Sequence, residues 1–129
     1  MYKGEKTILI VEDDKLNREA LTLYLKKKYR TEVCDSEKTF YQILSTKKID
    51  LIIMDISLNG SKNGLVLTKE VRENPAYNHI PILCLTAHAR QTDERNAFSA
   101  GVDVFITKPV KNEKVLEIVN EWMQKKQDT

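Results

Sequence analysis

The segment IDLIIMDISLNGSKNGL, residues 49–65, contains the element on which the fold depends. Between Ile49 and Met54 only Asp50 is polar, and such a continuous apolar run is typical of a strand buried on both faces of a parallel sheet. The run ends in Asp55, and a loop rich in Asn, Gly and Ser follows at once. We therefore expect a central strand that carries a carboxylate at its carboxyl end.

Length and composition predict one ordinary globular domain. The 129 residues are 41% hydrophobic and 31% charged, which suits a single domain over 1–129 with a core at about 7–124. No apolar run approaches the roughly 20 residues of a membrane span, and no signal peptide opens the sequence. We expect a cytoplasmic protein that does not bind a membrane.

The net charge of +2 does not predict a nucleic-acid-binding protein. The basic residues cluster where we expect helices to end, at 26–30 and 125–126, and cations there complement the helix dipole. No basic face with interleaved aromatic residues is present. Cys34 and Cys84 lack a CxxC spacing, so we interpret them as small core residues rather than a disulfide or metal pair.

Strand and helix patterns alternate five times along the chain. The apolar or β-branched segments that we assign to strands are TILIVE (7–12), TEVCD (31–35), the segment ending at Asp55, IPILCLT (80–86) and DVFIT (103–107). Five strand–helix units with short connections predict an α/β protein with a parallel, doubly wound sheet of five strands and five helices. The strand count favours the flavodoxin-like order 2-1-3-4-5. In this order Cys34 and Cys84 lie too far apart to form a disulfide.

The expected helices have recognisable ends and apolar stripes. We predict N-caps at Asp14, Ser36, Thr92 and Asn112. The third helix should run from about Asn63 and stop before Pro75, and the fourth should end at Gly101. In the first helix the helical spacing predicts an inward stripe of Leu16, Ala20, Leu23 and Tyr24. The fourth helix has little apolar material, and we expect it to pack most loosely.

Polar residues follow four of the strands where the functional crevice of such a sheet lies. They are Glu12-Asp13-Asp14, Asp55, Thr86 and Thr107-Lys108-Pro109. Two like charges about 4 Å apart cost about 4 kcal/mol at an effective dielectric near 20, so a cation must compensate the carboxylates. Lys108 supplies one positive charge. The remaining oxygen ligands, without Cys or His, are those that Mg²⁺ prefers.

This set of side chains favours phosphoryl chemistry. A carboxylate can act as a nucleophile and form an aspartyl phosphate, while a metal, a cation and a hydroxyl hold the phosphoryl oxygens. Asp55, a Mg²⁺ ion on Asp13, Lys108 and Thr86 fit these roles. Individually, the same residues also have structural explanations: Asp14 as a helix cap, Asp55 as a loop residue and Thr86 as a strand-end hydroxyl. Their coincidence at one crevice favours the functional interpretation.

The blocks ILIVEDD, DLIIMDISL, IPILCLTAHA and AGVDVFITKP resemble those of the bacterial response-regulator receiver domain. The resemblance covers about residues 7–124. It implies that Asp55 accepts a phosphoryl group from a histidine kinase or a histidine phosphotransfer protein. Mg²⁺ would be bound by Asp13, by Glu12 through water, by Asp55 and by the backbone carbonyl of Ser57.

The resemblance also implies roles for residues on the last two strands. Thr86 and Lys108 would hold phosphoryl oxygens, and the Lys108–Pro109 bond would be cis. Phe105 matches the family's switching aromatic, although an ordinary strand aromatic is an equal alternative. Ser57 and His88 occupy positions that border the attacking water, and we hypothesise that they tune the phosphoryl lifetime. Solvent-facing loop residues are the alternative.

Phosphorylation would then shift the surface formed by the fourth helix, fifth strand and fifth helix toward a second state that controls an unknown protein partner. The sequence ends after the fifth helix, so we expect no output domain, and a monomer or weak dimer. The chain is either a free-standing receiver or part of a larger regulator. One departure from the family pattern is LNGSKNG after Asp55, which is one residue longer than Met-Pro-Gly-x-Asp-Gly and lacks its Pro.

Three other functions remain as alternatives. A haloacid-dehalogenase-type phosphatase shares the Asp, Thr, Lys and Mg²⁺ set, but its nucleophile follows the first strand as D-x-D. A flavodoxin-type carrier would need a phosphate loop where Glu12, Asp13 and Asp14 stand, and these would repel a flavin phosphate. A degenerate receiver that only binds proteins is disfavoured because every key position is filled.

Overall fold

The computed structural model describes residues 6–12, 14–55, 64–87 and 90–128. Within these ranges strands and helices alternate as expected. The strands are β1 (Thr7–Val11), β2 (Arg30–Cys34), β3 (Leu51–Asp55), β4 (Ile82–Thr86) and β5 (Val104–Thr107). The helices are α1 (Lys15–Leu25), α2 (Glu37–Thr46), α3 (Gly64–Glu73), α4 (Gln91–Ala100) and α5 (Asn112–Asp128). At the majority of strand ends, the observed boundary differs from the predicted one by one or two residues.

The five strands form one parallel sheet in the order β2-β1-β3-β4-β5, which confirms the predicted topology. Every residue of β3 and β4 is buried, so the apolar run before Asp55 is the central strand that its sequence indicated. Asp55 is paired in register with Leu85, which places the end of β3 beside the end of β4. Among the described residues no helix combines the length and apolarity needed to cross a membrane.

Two apolar cores cover the two faces of the sheet. One contains Phe40, Leu67 and Ala97 and packs α2, α3 and α4 against one face. The other contains Leu21 and Val119 and packs α1 and α5 against the opposite face. Cys34 and Cys84 are both buried as free thiols, which confirms their assignment to the core.

The predicted inward stripe of α1 is wrong. Leu16 and Leu23 are 76% and 63% exposed, whereas Leu21 and Leu25 are buried against the sheet. Leu21 and Leu25 join the core that α1 and α5 share, and their burial fixes the inward face of the helix. Arg18 lies on the same helical face, and its guanidinium donates to the backbone carbonyl of Glu12 across 2.9 Å.

Helix ends confirm some of the predicted caps and correct others. Asp14 and Ser36 are N-caps whose side chains accept backbone N–H groups, and α3 ends two residues before Pro75. Thr92 is not a cap, because α4 begins at Gln91 and the carboxylate of Asp93 accepts the backbone N–H of Arg90. Asn112 is already the first residue of α5 and is not its cap.

The basic residues at the end of α1 also lie at other positions than we expected. Lys26 is the C-cap, and the last helical turn contains no basic residue. The cations at 26–28 therefore follow the helix rather than belong to it. The Lys27 ammonium lies 4.5 Å from the ring centroid of Tyr24, so part of this charge packs on an aromatic face.

Candidate functional site

The carboxyl ends of the strands bring together the polar residues that the sequence singled out. Glu12 directly follows β1, Asp55 ends β3, Thr86 ends β4 and Lys108 directly follows β5. Because the strands are parallel and adjacent, all four ends lie at the same edge of the sheet. The predicted convergence of Glu12, Asp55, Thr86 and Lys108 is therefore present in the fold.

Lys108 connects the two buried carboxylates. Its ammonium donates to Oδ2 of Asp55 across 2.9 Å and to Oε1 of Glu12 across 3.3 Å. Asp55 and Glu12 are only 3% and 5% exposed. Among the described residues, the Lys108 ammonium thus faces two carboxylates that are almost completely removed from water, and these three groups retain a formal negative charge when both carboxylates are ionised.

The electrostatics of Glu12 reflect this imbalance. Burial, together with a hydrogen bond to Asp55 and the charge of Asp55, raises the pKa of Glu12 from 4.5 to about 7. For Lys108, burial lowers the pKa, but the hydrogen bonds to Asp55 and Glu12 and the charges of both outweigh it, so the net change is upward. Lys108 therefore stays charged, and the charge of Glu12 depends on pH near neutrality.

Local contacts hold Glu12 in place. Its backbone N–H donates to the carbonyl of Cys34 across 3.1 Å, and its carboxylate accepts the N–H of Asp14 across 3.3 Å. The carbonyl of Glu12 accepts from Arg18, a residue that the sequence reasoning did not include. The sequence could have indicated this contact, because Arg18 is a cation in the first helical turn after an acidic strand end.

Thr86 is hydrogen-bonded to Lys108 through its backbone carbonyl. Its side chain faces the core under α2, α3 and α4. Its carbonyl accepts the Lys108 N–H across 2.7 Å, and the residue is fully buried. Side chains alternate along a strand, so Thr86 shares its face with Cys84, which packs in the core under α2, α3 and α4. Thr86 thus lies between the carboxylate cluster and the α4 side of the sheet. The Lys108–Pro109 bond is cis, as the resemblance implied.

Phe105 lies in the middle of β5 and is partly buried. Its ring centroid is 6.5 Å from that of Phe98 on α4, and the two planes are tilted by 43°. Phe98 itself is 46% exposed. The aromatic residue predicted to switch therefore contacts the helix that forms part of the predicted output surface.

An open cleft of about 460 Å³ lies beside the cluster, between the start of α1 and the segment that joins β5 to α5. Its lining includes the site residues Glu12 and Lys108 and the helix residues Ala20 and Val115. The cleft extends from the site to the exposed side of α1.

The described residues of the site are compatible with a bound divalent cation. Within them no group of three or more His, Cys, Asp or Glu residues suited to a metal is found. Glu12 and Asp55 nevertheless offer oxygen ligands and an excess negative charge, and Mg²⁺ needs only one or two carboxylates when waters complete its shell. The predicted ligands Asp13 and Ser57, and also His88, lie outside the described residues.

Comparison with known proteins shows the family. The sequence matches the response regulator receiver domain over residues 8–120. It is 37% identical over 103 residues to the aerobic respiration control protein ArcA of Escherichia coli, across 79% of this chain and 42% of ArcA. The chain spans less than half of the length of this and two other curated relatives that it matches.

Solved structures agree with the sequence match. The signal receiver domain of a histidine kinase from Syntrophus aciditrophicus superposes with a TM-score of 0.88 at 30% identity, over 97% of this chain and 95% of that one. The receiver domain of the sensor histidine kinase PA1611 from Pseudomonas aeruginosa gives 0.79 at 30% identity, over 92% and 98%, and holds a magnesium ion in its active-site cleft. The chain described here belongs to the response regulator receiver domain family and is a receiver domain of two-component signalling.

Proposed function

We propose that Asp55 of this receiver accepts a phosphoryl group, in a reaction that depends on Mg²⁺, from the phosphohistidine of a histidine kinase or a histidine phosphotransfer protein. The supporting observation is the position of Asp55 at the end of the central strand, buried and 2.9 Å from the ammonium of Lys108. We further propose that residues 1–129 act as one receiver domain in the cytoplasm, as a monomer or weak dimer.

Mg²⁺ would be held by Asp13, Asp55 and the backbone carbonyl of Ser57, with Glu12 acting mainly through water. When bound, it would neutralise the charge that develops on the phosphoryl oxygens. The excess negative charge of Glu12 and Asp55 supports this assignment. The raised pKa of Glu12 supports it as well, because a carboxylate that burial holds partly protonated becomes fully ionised beside a divalent cation.

In the transfer step a carboxylate oxygen of Asp55 attacks phosphorus in line with the leaving group. The bond between phosphorus and the donor's imidazole nitrogen breaks, and its electron pair returns to the imidazole. Lys108 donates to Oδ2 of Asp55, so attack through Oδ1 leaves this hydrogen bond in place until the ammonium moves to a phosphoryl oxygen. The hydroxyl of Thr86 would bind a second phosphoryl oxygen.

The product would act on the α4 side of the sheet. The phosphoryl group carries nearly two negative charges and replaces the single charge of the Asp55 carboxylate, in front of Thr86 and Lys108. Because Thr86 faces the core that contains Ala97 of α4, its movement toward the phosphoryl group would change the packing of α4 and Phe105. We propose that this shifts the surface of α4, β5 and α5 between two states and thereby controls a protein partner.

Exposed apolar residues on α1 support a protein as the phosphoryl donor. Leu16 and Leu23 are both mostly exposed, and Ala20 lies between them on the same stripe and lines the cleft beside Lys108. An apolar stripe that continues into the cleft beside Glu12 and Lys108 fits a helical partner that delivers its phosphohistidine to the neighbouring Asp55.

Intact mass after incubation with acetyl phosphate and Mg²⁺ tests the proposal. The unmodified sequence should gain one phosphoryl group, and Asp55→Asn should gain none. Asp14→Asn is the matched control, because Asp14 is an exposed N-cap near the site and should permit the gain. A chain that gains no phosphoryl group under these conditions, or an Asp55→Asn variant that gains one equally, contradicts the proposal.

A further inference from the structure

The side chain of Arg72 near the end of α3 gathers four hydrogen bonds at the edge of the sheet opposite the site. Its Nε donates to the carbonyl of Gly101 across 2.8 Å, and its Nη1 donates to the carbonyls of Ile80 and Asn78 at 2.7 and 3.0 Å. Its Nη2 donates to Oδ2 of Asp103 across 2.7 Å. One guanidinium thus ties α3 to the segment before β4 and to the turn between α4 and β5.

Asp103 completes this connection to the sheet. The same Oδ2 that binds Arg72 also accepts the backbone N–H of Ile82, and the N–H of Asp103 donates to the carbonyl of Ile82, both at 2.8 Å. The Arg72 and Asp103 side chains are only 21% and 30% exposed. Arg72 therefore combines a partly buried ion pair to Asp103 with three hydrogen bonds to backbone carbonyls. Such a set of contacts holds the connected elements in one geometry.

The carboxyl-terminal end of α4 is thereby well ordered. Gly101 adopts a left-handed φ of +117°, and its N–H and that of Val102 donate back to the carbonyl of Ala97. Ala97 and Val102 are buried. A Cβ on Gly101 would lie 2.4 Å from Cγ of Arg72, which shows how closely the arginine packs on this turn.

The amino-terminal end of α4 is more exposed than its carboxyl-terminal end in the described part of the chain. Arg90 is 80% exposed in its side chain and pairs with Asp93 at the surface. Apart from the half-buried Asp93, the residues of the first two turns are exposed: Gln91, Thr92, Glu94, Arg95 and Asn96. This exposed end is the one that follows Thr86 and the site.

We propose that Arg72 anchors the carboxyl-terminal end of α4, so that α4 pivots about Gly101 and only its amino-terminal turns respond to the site. The anchor is a property of the unmodified protein, whereas the response rests on the proposed phosphorylation of Asp55. The ten residues of α4 span about 15 Å, so a displacement produced near Thr86 decreases along the helix toward the anchored end.

Residue-resolved amide hydrogen exchange, measured by NMR on unmodified protein, tests the anchor. Arg72→Lys keeps the charge but cannot span four acceptors, and Arg95→Lys is the matched control on the exposed face of α4. In Arg72→Lys the amides of Gly101, Val102 and Asp103 should exchange at least about tenfold faster, as expected for the loss of one charge-assisted hydrogen bond. Those of β1 and β3 should be unchanged. Equal protection in both variants, or acceleration throughout the sheet, would overturn the anchor.

A second variant and a measurement on the phosphorylated protein complete the test. If Arg72→Lys does not fold, Asp103→Asn supplies the same comparison, since its amide oxygen still accepts the Ile82 N–H while the ion pair is lost. After treatment with acetyl phosphate and Mg²⁺, amide shift changes should be large at 90–96 and small at 99–103, and they should spread to 99–103 in Arg72→Lys. A wild-type response as large at 99–103 contradicts the pivot. If no phosphoryl group is gained, the proposed function fails. Hydrogen exchange in the unmodified protein still shows whether Arg72 anchors α4.

Discussion

The ammonium of Lys108 lies 2.9 Å from Oδ2 of Asp55, although 53 positions separate the two residues in the chain. The same ammonium also reaches Glu12, 96 positions away. The parallel sheet makes this contact possible, because it places the ends of β1 and β3 and the residue after β5 at one edge. The site therefore depends on tertiary structure, and its energetics can be tested separately from any phosphoryl chemistry.

Removal of Lys108 should destabilise the metal-free protein in a pH-dependent way. In Lys108→Ala the two buried carboxylates lose their cation, and we expect a loss of about 1–3 kcal/mol in the free energy of unfolding at pH 8. The loss should be smaller at pH 5, where Glu12 is protonated. Urea denaturation in EDTA measures both values. Lys114→Ala, which removes an exposed lysine paired with Glu117, should leave the free energy of unfolding nearly unchanged.

The raised pKa of Glu12 predicts that the metal-free protein loses stability as pH increases. Between the unfolded value of 4.5 and the folded value of about 7 the native state binds more protons than the unfolded state, so the contribution of Glu12 falls across this window and levels off above it. The full shift corresponds to on the order of 3 kcal/mol. Glu12→Gln should remove most of this slope. A variant with the same slope between pH 5 and pH 8 would show that Glu12 is not its source.

Addition of Mg²⁺ should reverse this pH dependence. Binding requires ionised carboxylates, so the increase in Tm caused by Mg²⁺ should be larger at pH 8 than at pH 5.5. At a concentration 100 times the Kd the gain is about 2.7 kcal/mol. Thermal unfolding with and without EDTA measures it. Asp55→Asn should show a reduced gain, whereas Glu73→Gln, at the exposed end of α3 on the opposite edge of the sheet, should behave as the unmodified chain.

The two faces of α1 should respond to substitution in opposite ways. Leu21→Ala removes a buried side chain and should cost about 2–5 kcal/mol of unfolding free energy. Leu23→Ala alters a side chain that is 63% exposed and should cost under about 1 kcal/mol, while it slows phosphoryl transfer from a donor protein and leaves transfer from acetyl phosphate unchanged. Equal losses of stability in the two variants would contradict the observed rotation of the helix.

The orientation of α1 shows where sequence reasoning reached its limit. Leu16, Ala20, Leu23 and Tyr24 form a longer apolar stripe than Leu21 and Leu25, and periodicity alone favours the longer one. The inward face is instead the one whose Leu21 and Leu25 fit the core against the sheet, which periodicity does not reveal. The exposed stripe is therefore available for a partner, and the pattern that looked like core is a surface feature.

The strands and the site were more predictable for a physical reason. A strand buried on both faces must be apolar throughout, so Ile52, Ile53 and Met54 identify their element without reference to the rest of the chain. The carboxylate that ends such a strand is then conspicuous. The bonds from Arg72 to Gly101 and Asp103 left no local pattern, because they join residues about 30 positions apart through backbone carbonyls and a single side chain.

Identification of the modified residue tests the central claim most directly. After incubation with acetyl phosphate and Mg²⁺, borohydride reduces an aspartyl phosphate to homoserine, and peptide mapping by tandem mass spectrometry locates it. We predict homoserine at position 55, dependent on Mg²⁺ and absent when EDTA replaces the metal. Homoserine at another acidic residue with position 55 unmodified, or equal modification without Mg²⁺, would contradict the account.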